Sequence, residues 1–300
     1  PPKIDQAKGR QTLAFLLVSG SVLATPRSPA KAGVVAAPLA RPAGVVLPPI
    51  HLCASAGPAT LTGSTSVAIW GFSEWTGSSC EPAQLPGPML EVGEGDVVTI
   101  ILHNFLSENV SLSFPGQNMV PDPTGAATGG GTTTYEFTAD RPGTYLYEAG
   151  LHTDVQLPMG LYGALVVRSG TPLWAYDDSA TAYDTEAVLV LSEFDLDPAA
   201  ADGPEYWLIN GKAYPDTSAV LGGSGEDVLL RYLNAGSDHY TMALLGLHQR
   251  VIAKDAYEVP YQFDVVGETI PAGSTADMIV TIPPGKAVDT PFPLYNRQLH

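Results

Sequence analysis

Short apolar runs, each closed by Gly, Pro or a polar cluster, dominate the chain from about residue 51 onward. In DVVTIILHN (96–104) β-branched residues crowd a short apolar run, as a buried strand requires. Runs of similar length recur at SVAIWGF (66–72), MLEV (89–92), VSLSF (110–114), TTTYEFTA (132–139), GTYLYEA (143–149) and LYGALVVR (161–168). No apolar pattern of helical period extends for ten residues in this half. Seven short strands at this spacing predict a β-sandwich or barrel.

After a stretch at 169–184 that reads as a linker, a second series begins: EAVLVLSEF (186–194), YWLING (206–211), EDVLLRYLNAG (226–236), TMALLGLHQRVIA (241–253) and TADMIVTIP (275–283). The halves echo each other. GEGDVVTIILHN in the first and GSGEDVLLRYLNAG in the second each carry a Gly-acid turn into an apolar strand that ends in Asn. Such an echo predicts two copies of one sandwich. The second copy, read to PLYNRQLH, lacks a recognisable closing strand.

The N-terminal pattern is different. Lys8 and Arg10 precede the apolar run 13–24, LAFLLVSGSVLA, which is too short to span a bilayer, and Ala30-Lys31-Ala32 resembles a cleavage site. Residues 1–32 therefore read as an export signal, with a short buried helix as the alternative. The Pro/Ala-rich stretch 33–50 reads as a leader. The two sandwiches are expected at 51–170 and 185–300, with secretion or the cell envelope as destination and no membrane span in the mature protein. Only two cysteines are present, Cys53 and Cys80. In an exported chain they predict one disulfide, worth about 2–4 kcal/mol; the alternative is two free core thiols.

Charge narrows the partners. Of 14 basic and 31 acidic side chains, six basic and one acidic fall in the first fifty residues, leaving a net charge of −22 on the rest. A surface of this sign repels phosphate backbones and excludes nucleic acid as a partner. No G-x-S-x-G, H-E-x-x-H or P-loop occurs, and Gly129–Gly131 precede a strand rather than the helix a phosphate cradle needs. Glu193 and Asp195 read as a charged strand exit.

Taken in order, PGPMLEVGEGDVVTIILHN (86–104), PGTYLYEAG (142–150), MGLYGALVV (159–167), WLINGKAYPD (207–216), RYLNAG (231–236), HQRVIAKDA (248–256) and IPAGSTADMIV (270–280) resemble the cupredoxin-type multicopper oxidases, the family of laccases and copper nitrite reductases. The resemblance implies an all-β fold of two tandem cupredoxin-like Greek-key sandwiches. It also implies copper ligands, and these the sequence does not carry. The family builds its oxygen-reducing cluster from His-x-His pairs, and the sequence has none. Ser113 and Pro115 occupy the first pair's positions, and Glu148-Ala149-Gly150 stands where the second should follow PGTYLY. Neither Cys lies near a terminal His-and-Met loop suited to mononuclear copper.

Six histidines remain to be placed. His152 with Met159, assisted by Asp154 and Glu148, is one candidate metal pair; the alternative is a solvated loop with Met159 packed beneath it. His239, His248 and His300 are the others, able to bind copper, zinc or nickel if they converge at one sandwich end. The plainer expectation makes His248 a partly buried, hydrogen-bonded side chain and leaves His103 exposed and inert. The sequence thus predicts no catalytic residue and no cofactor from this chain alone. Its leading reading is an exported, non-redox binding or structural module. The competing reading is a copper oxidoreductase completed by further residues or a neighbouring subunit. A third is self-assembly, in which an open sandwich edge takes a strand from another copy, with an envelope protein as a further possible partner.

Overall fold

The computed structural model describes residues 13–19, 44–63, 65–196 and 203–298. Ala30-Lys31-Ala32, most of the Pro/Ala-rich stretch and His300 lie outside the described residues. The first sandwich follows β1 (Leu13–Ser19) in the chain and is built from β2 (Ile50–Thr62), β3 (Thr65–Glu74), β4 (Leu90–Gly93), β5 (Val97–Asn104), β6 (Leu112–Ser113), β7 (Gly131–Thr138), β8 (Gly143–Ala149) and β9 (Tyr162–Arg168). Its sheets run β3-β2-β5-β7 and β4-β9-β8-β6. Between them pack Phe72, Val98, Ile100, Leu102, Phe114, Tyr147 and Leu165. Along β5 every second residue is buried and its neighbours are half covered, so the apolar run seals one face and only partly covers the other.

The second sandwich comprises β10 (Thr185–Phe194), β11 (Tyr206–Ile209), β12 (Val220–Gly223), β13 (Asp227–Asn234), β14 (Tyr240–Leu244), β15 (Gln249–Lys254), β16 (Tyr257–Val265), β17 (Gly267–Ile270), β18 (Thr275–Thr281) and β19 (Pro291–Asn296). Its sheets run β11-β10-β13-β18-β15-β16 and β12-β1-β19-β14-β17. The two-sandwich, all-β fold implied by the sequence is therefore the fold observed.

The repeat seen in the sequence is structural. Parallel β2 and β5 correspond to parallel β10 and β13, and antiparallel β5–β7 to β13–β18. The echoed residues do the same work in each half. Asp96 accepts the Gly93 N–H at 2.8 Å, and Glu226 accepts the Gly223 N–H at 2.6 Å. The Asn104 amide donates to the carbonyls of Glu108 and Ala126 and accepts the Leu106 N–H. Asn234 repeats this pattern with Asp238, Ile270 and Gly236. Each Asn thus satisfies backbone groups that the strand leaves open at its end. Gly95, with φ 77, makes a turn that a side chain would strain.

Several elements depart from expectation for identifiable reasons. β2 escapes sequence reading because Gly57-Pro58 lies within it; its pairing with β5 ends at Ala54, so the proline interrupts no ladder on that side. The run 241–253 is two strands, because the chain turns at Gly246 (φ 89) and crosses from one sheet to the other. Residues 13–19 form a strand in the second sandwich, with Leu16 in its core, and not the short helix weighed as the alternative for this run. Residues 45–47, at the end of the stretch read as a leader, dock on β5 and on the Asp96 carboxylate.

The linker between the sandwiches is packed. Ala175, Tyr176 and Tyr183 bury against Leu229, Ile252 and Ile279. Beneath them a network of charges joins the two halves. Glu186 accepts from Arg168 Nη1 and from Arg231 Nε, both at 2.8 Å. Arg168 also reaches Glu91, and Arg231 donates to Thr144 Oγ1 at 3.0 Å. Asp277 receives Thr144 Oγ1–H at 2.7 Å and Tyr176 O–H at 2.6 Å, with Arg231 3.5 Å away. Thr144 and Arg168 come from the first sandwich, Glu186, Arg231 and Asp277 from the second. Burial disfavours the Glu186 carboxylate, but the two guanidiniums outweigh it and hold the group down at about 2.

Candidate functional site

The corner of the first sandwich where the resemblance locates copper is made by β6, β8 and the loop to β9. Ser113 and Glu148 are direct cross-strand partners, so these two positions do converge, as paired ligands must. Neither carries an imidazole. Ser113 offers a hydroxyl, and burial pushes the Glu148 carboxyl upward, toward its protonated form. Pro115 offers no side-chain donor. At Gly150 a Cβ would sit 2.7 Å from Ser111 Oγ, so the serine occupies the space from which a side chain would start. A copper cluster of imidazoles does not fit this set of side chains.

The other candidates do not assemble. His152 is exposed, with φ 43, and its Nδ1 lies 3.3 Å from Glu108 Oε2. Met159 instead lines a cleft of about 510 Å³ between the sandwiches, with Asp154, Tyr162, Phe194, Asp195 and Ser237. His152 faces a separate hollow with Glu108 and Thr124. The two side chains of this candidate pair therefore line different cavities. His239 is exposed and accepts a long contact from the Ala272 N–H at 3.4 Å. His248, expected to be partly buried, is exposed at the turn joining β14 to β15, because the chain must leave one sheet there to enter the other. His300 lies outside the described residues. Among the described residues no three of His, Cys, Asp and Glu gather as a metal-binding group. Glu193, read as a charged strand exit, accepts Ser237 Oγ–H and Tyr240 O–H.

One histidine pair was not anticipated. His51 Nδ1 and His103 Nε2 are 3.0 Å apart, and His103 stacks on Trp75 with ring centres 4.4 Å apart. Phe105 also stacks on Trp75, with ring centres 5.8 Å apart. His103 is thus half-buried and partnered, where the sequence suggested an inert surface residue. Burial, and then the neighbouring His51, hold its pKa below the usual 6.5. The pair arises from the parallel pairing of β2 with β5, which places Cys53 beside His103 and His51 two residues away. Without β2 in the sequence reading, nothing linked residues 51 and 103. Cys53 and Cys80 form the expected disulfide.

The strand order and the internal repeat are those of a cupredoxin-type two-sandwich scaffold, and the comparisons agree. Residues 81–172 match the multicopper oxidase family. The chain is 30% identical over 229 residues to Laccase-3 of Oryza sativa subsp. japonica, a match covering 66% of this chain and 39% of that protein. It is 37% identical over 133 residues to the iron transport multicopper oxidase FET3 of Gibberella zeae, covering 41% of this chain and 20% of that protein. Its fold superposes on a blue copper oxidase from Nitrosomonas europaea with a TM-score of 0.69 at 23% identity, over 79% of this chain and 76% of that one. The chain thus carries the fold and sequence signature of the family, and spans well under half the length of the curated relatives just described.

Proposed function

We propose that this chain is an exported cupredoxin-like module that does not carry out copper redox chemistry and acts as a binding or structural part of the cell envelope. The observation that carries this reading is the donor set at the corner: a serine hydroxyl, a proline, a carboxyl biased toward protonation, and a glycine whose side-chain space Ser111 takes. Copper oxidases and blue-copper sites need imidazole or thiolate ligands of defined geometry. Both cysteine sulfurs of this chain are in the Cys53–Cys80 disulfide, so neither is a free thiolate. Export is supported by that disulfide and by the apolar segment with its upstream basic residues. Among the described residues no helix is long and apolar enough to cross a membrane.

The test is reconstitution. The purified full-length chain is incubated with excess Cu(II), desalted, and analysed for retained copper, for visible absorption and for oxidation of a phenolic substrate. The reading expects copper well below one per chain, no thiolate-to-copper colour and no turnover above free copper. Retention of about one or more coppers with turnover would overturn it and favour the copper oxidoreductase.

A further inference from the structure

The outer face of the sheet β3-β2-β5-β7 carries a cluster of imidazole and aromatic rings in which the corner takes no part. Along β5 the core side holds Val98, Ile100, Leu102 and Asn104, and His103 belongs to the half-covered set on the other side. Cys53 is its partner across the parallel pairing with β2. His51, two residues earlier on β2, projects to the same side, because side chains alternate along a strand. Trp75 joins the group from the end of β3. Its N–H donates to the His51 carbonyl at 3.3 Å, and its ring lies 4.4 Å from that of His103, tilted by only 12°. The Cys53–Cys80 disulfide and the bridge between Trp75 and Cys80 fasten the same stretch to the chain beyond β3. Backbone register, a covalent link and an aromatic stack thus hold two imidazoles together.

Their spacing suits a shared ion. His51 Nδ1 and His103 Nε2 stand 3.0 Å apart. Two nitrogens bound to one zinc ion at about 2.0–2.1 Å, with about 90–110° between the bonds, stand about 2.9–3.4 Å apart. Both side chains are half-buried, so solvent reaches them. Rotation about the bond that carries an imidazole is soft. Trp75 fixes the His103 ring, and His51 turns from the N–H···N contact to aim its lone pair at the ion. We propose that His51 and His103 form a two-imidazole site for a divalent cation of the zinc type, with water in the remaining positions. Imidazole nitrogen suits zinc and nickel as well as copper. The acidic body, of net charge −22 beyond residue 50, draws cations to its surface. With two protein ligands in place of the four of a structural zinc site, the ion is held with a Kd of order 100 µM. Its open positions accept a further donor from a small molecule or a partner. A site of this strength empties on desalting, so the corner and its non-redox reading stand or fall separately.

The test titrates the full-length chain with zinc chloride at pH 7.5, by calorimetry and by NMR of the histidine ring nitrogens. The proposal expects saturable binding of one zinc per chain, with the ring signals of His51 and His103 moving together. It expects His51→Gln and His103→Gln each to weaken binding at least tenfold, while His152→Gln and His248→Gln, both at exposed histidines, leave it within twofold. The NMR arm uses the unaltered chain, so it decides the matter even where a variant fails to fold. Absence of saturable binding up to about 1 mM zinc would overturn the proposal. So would saturation that leaves the His51 and His103 signals in place, or that survives both substitutions.

Discussion

Glu186→Gln removes one negative charge from a network that holds two guanidiniums out of water. Glu186 and Arg231 are almost fully buried, and Arg168 is mostly so. In the folded chain the Glu186 carboxyl is held at about 2, against an ordinary value of 4.5. A depression of that size corresponds to about 3 kcal/mol of stability. Mutational experience with broken buried pairs gives a similar figure, about 3–5 kcal/mol. The sign is that of a depressed acid. The contribution is complete above the unfolded pKa and disappears as pH falls from about 4.5 toward about 2. Urea denaturation of wild type and E186Q at a series of pH values measures it. The expected difference is about 3 kcal/mol at pH 7, narrowing to about 1 kcal/mol near pH 2.5. Replacing Glu186 and Arg231 together with Leu and Met should cost less than the two single changes summed. A difference under about 0.5 kcal/mol at pH 7, the ordinary range for surface substitutions, or one that does not change with pH, would refute the claim that this network joins the sandwiches.

Two further outcomes follow from other places in the fold. His103 should titrate below 6.5 by NMR, since burial and the adjacent His51 both disfavour its charged form. Its neutral state then adds stability above the unfolded pKa, lost as pH falls through the folded value; a pKa at or above 6.5 would contradict the contact. Gly211 has φ 71, and a Cβ there would meet Leu85 O of the first sandwich. Gly211→Ala should therefore destabilise the chain by about 1–3 kcal/mol in thermal unfolding, and an unchanged Tm would mean the halves do not abut there.

Much of this architecture was legible because it is written in local patterns. The Gly-acid turns, the β-branched runs and the terminal asparagines specify strands and their ends without reference to distant residues. Their repetition disclosed two copies of one fold. What was not legible depends on long-range pairing. β2 was hidden by a proline that is tolerated only because the neighbouring strand has already ended. The His51–His103 contact exists only through that strand. Residues 13–19 read as a signal core, with a short helix as the alternative, because apolarity serves a membrane translocation machine and a sheet interior alike. At the candidate site the sequence showed which residues stand where the resemblance implies ligands. It could not show that Ser111 fills the space above Gly150, which depends on the antiparallel pairing of β6 with β8.

The proposed function rests on the corner made by β6 and β8 not holding copper. Crystals of the full-length chain soaked in copper and measured on both sides of the copper absorption edge put that to the test. The expected anomalous map is empty within bonding distance, about 2.2 Å, of Ser113 Oγ and the Glu148 carboxylate. A strong peak there, held by this chain's own side chains, would contradict it.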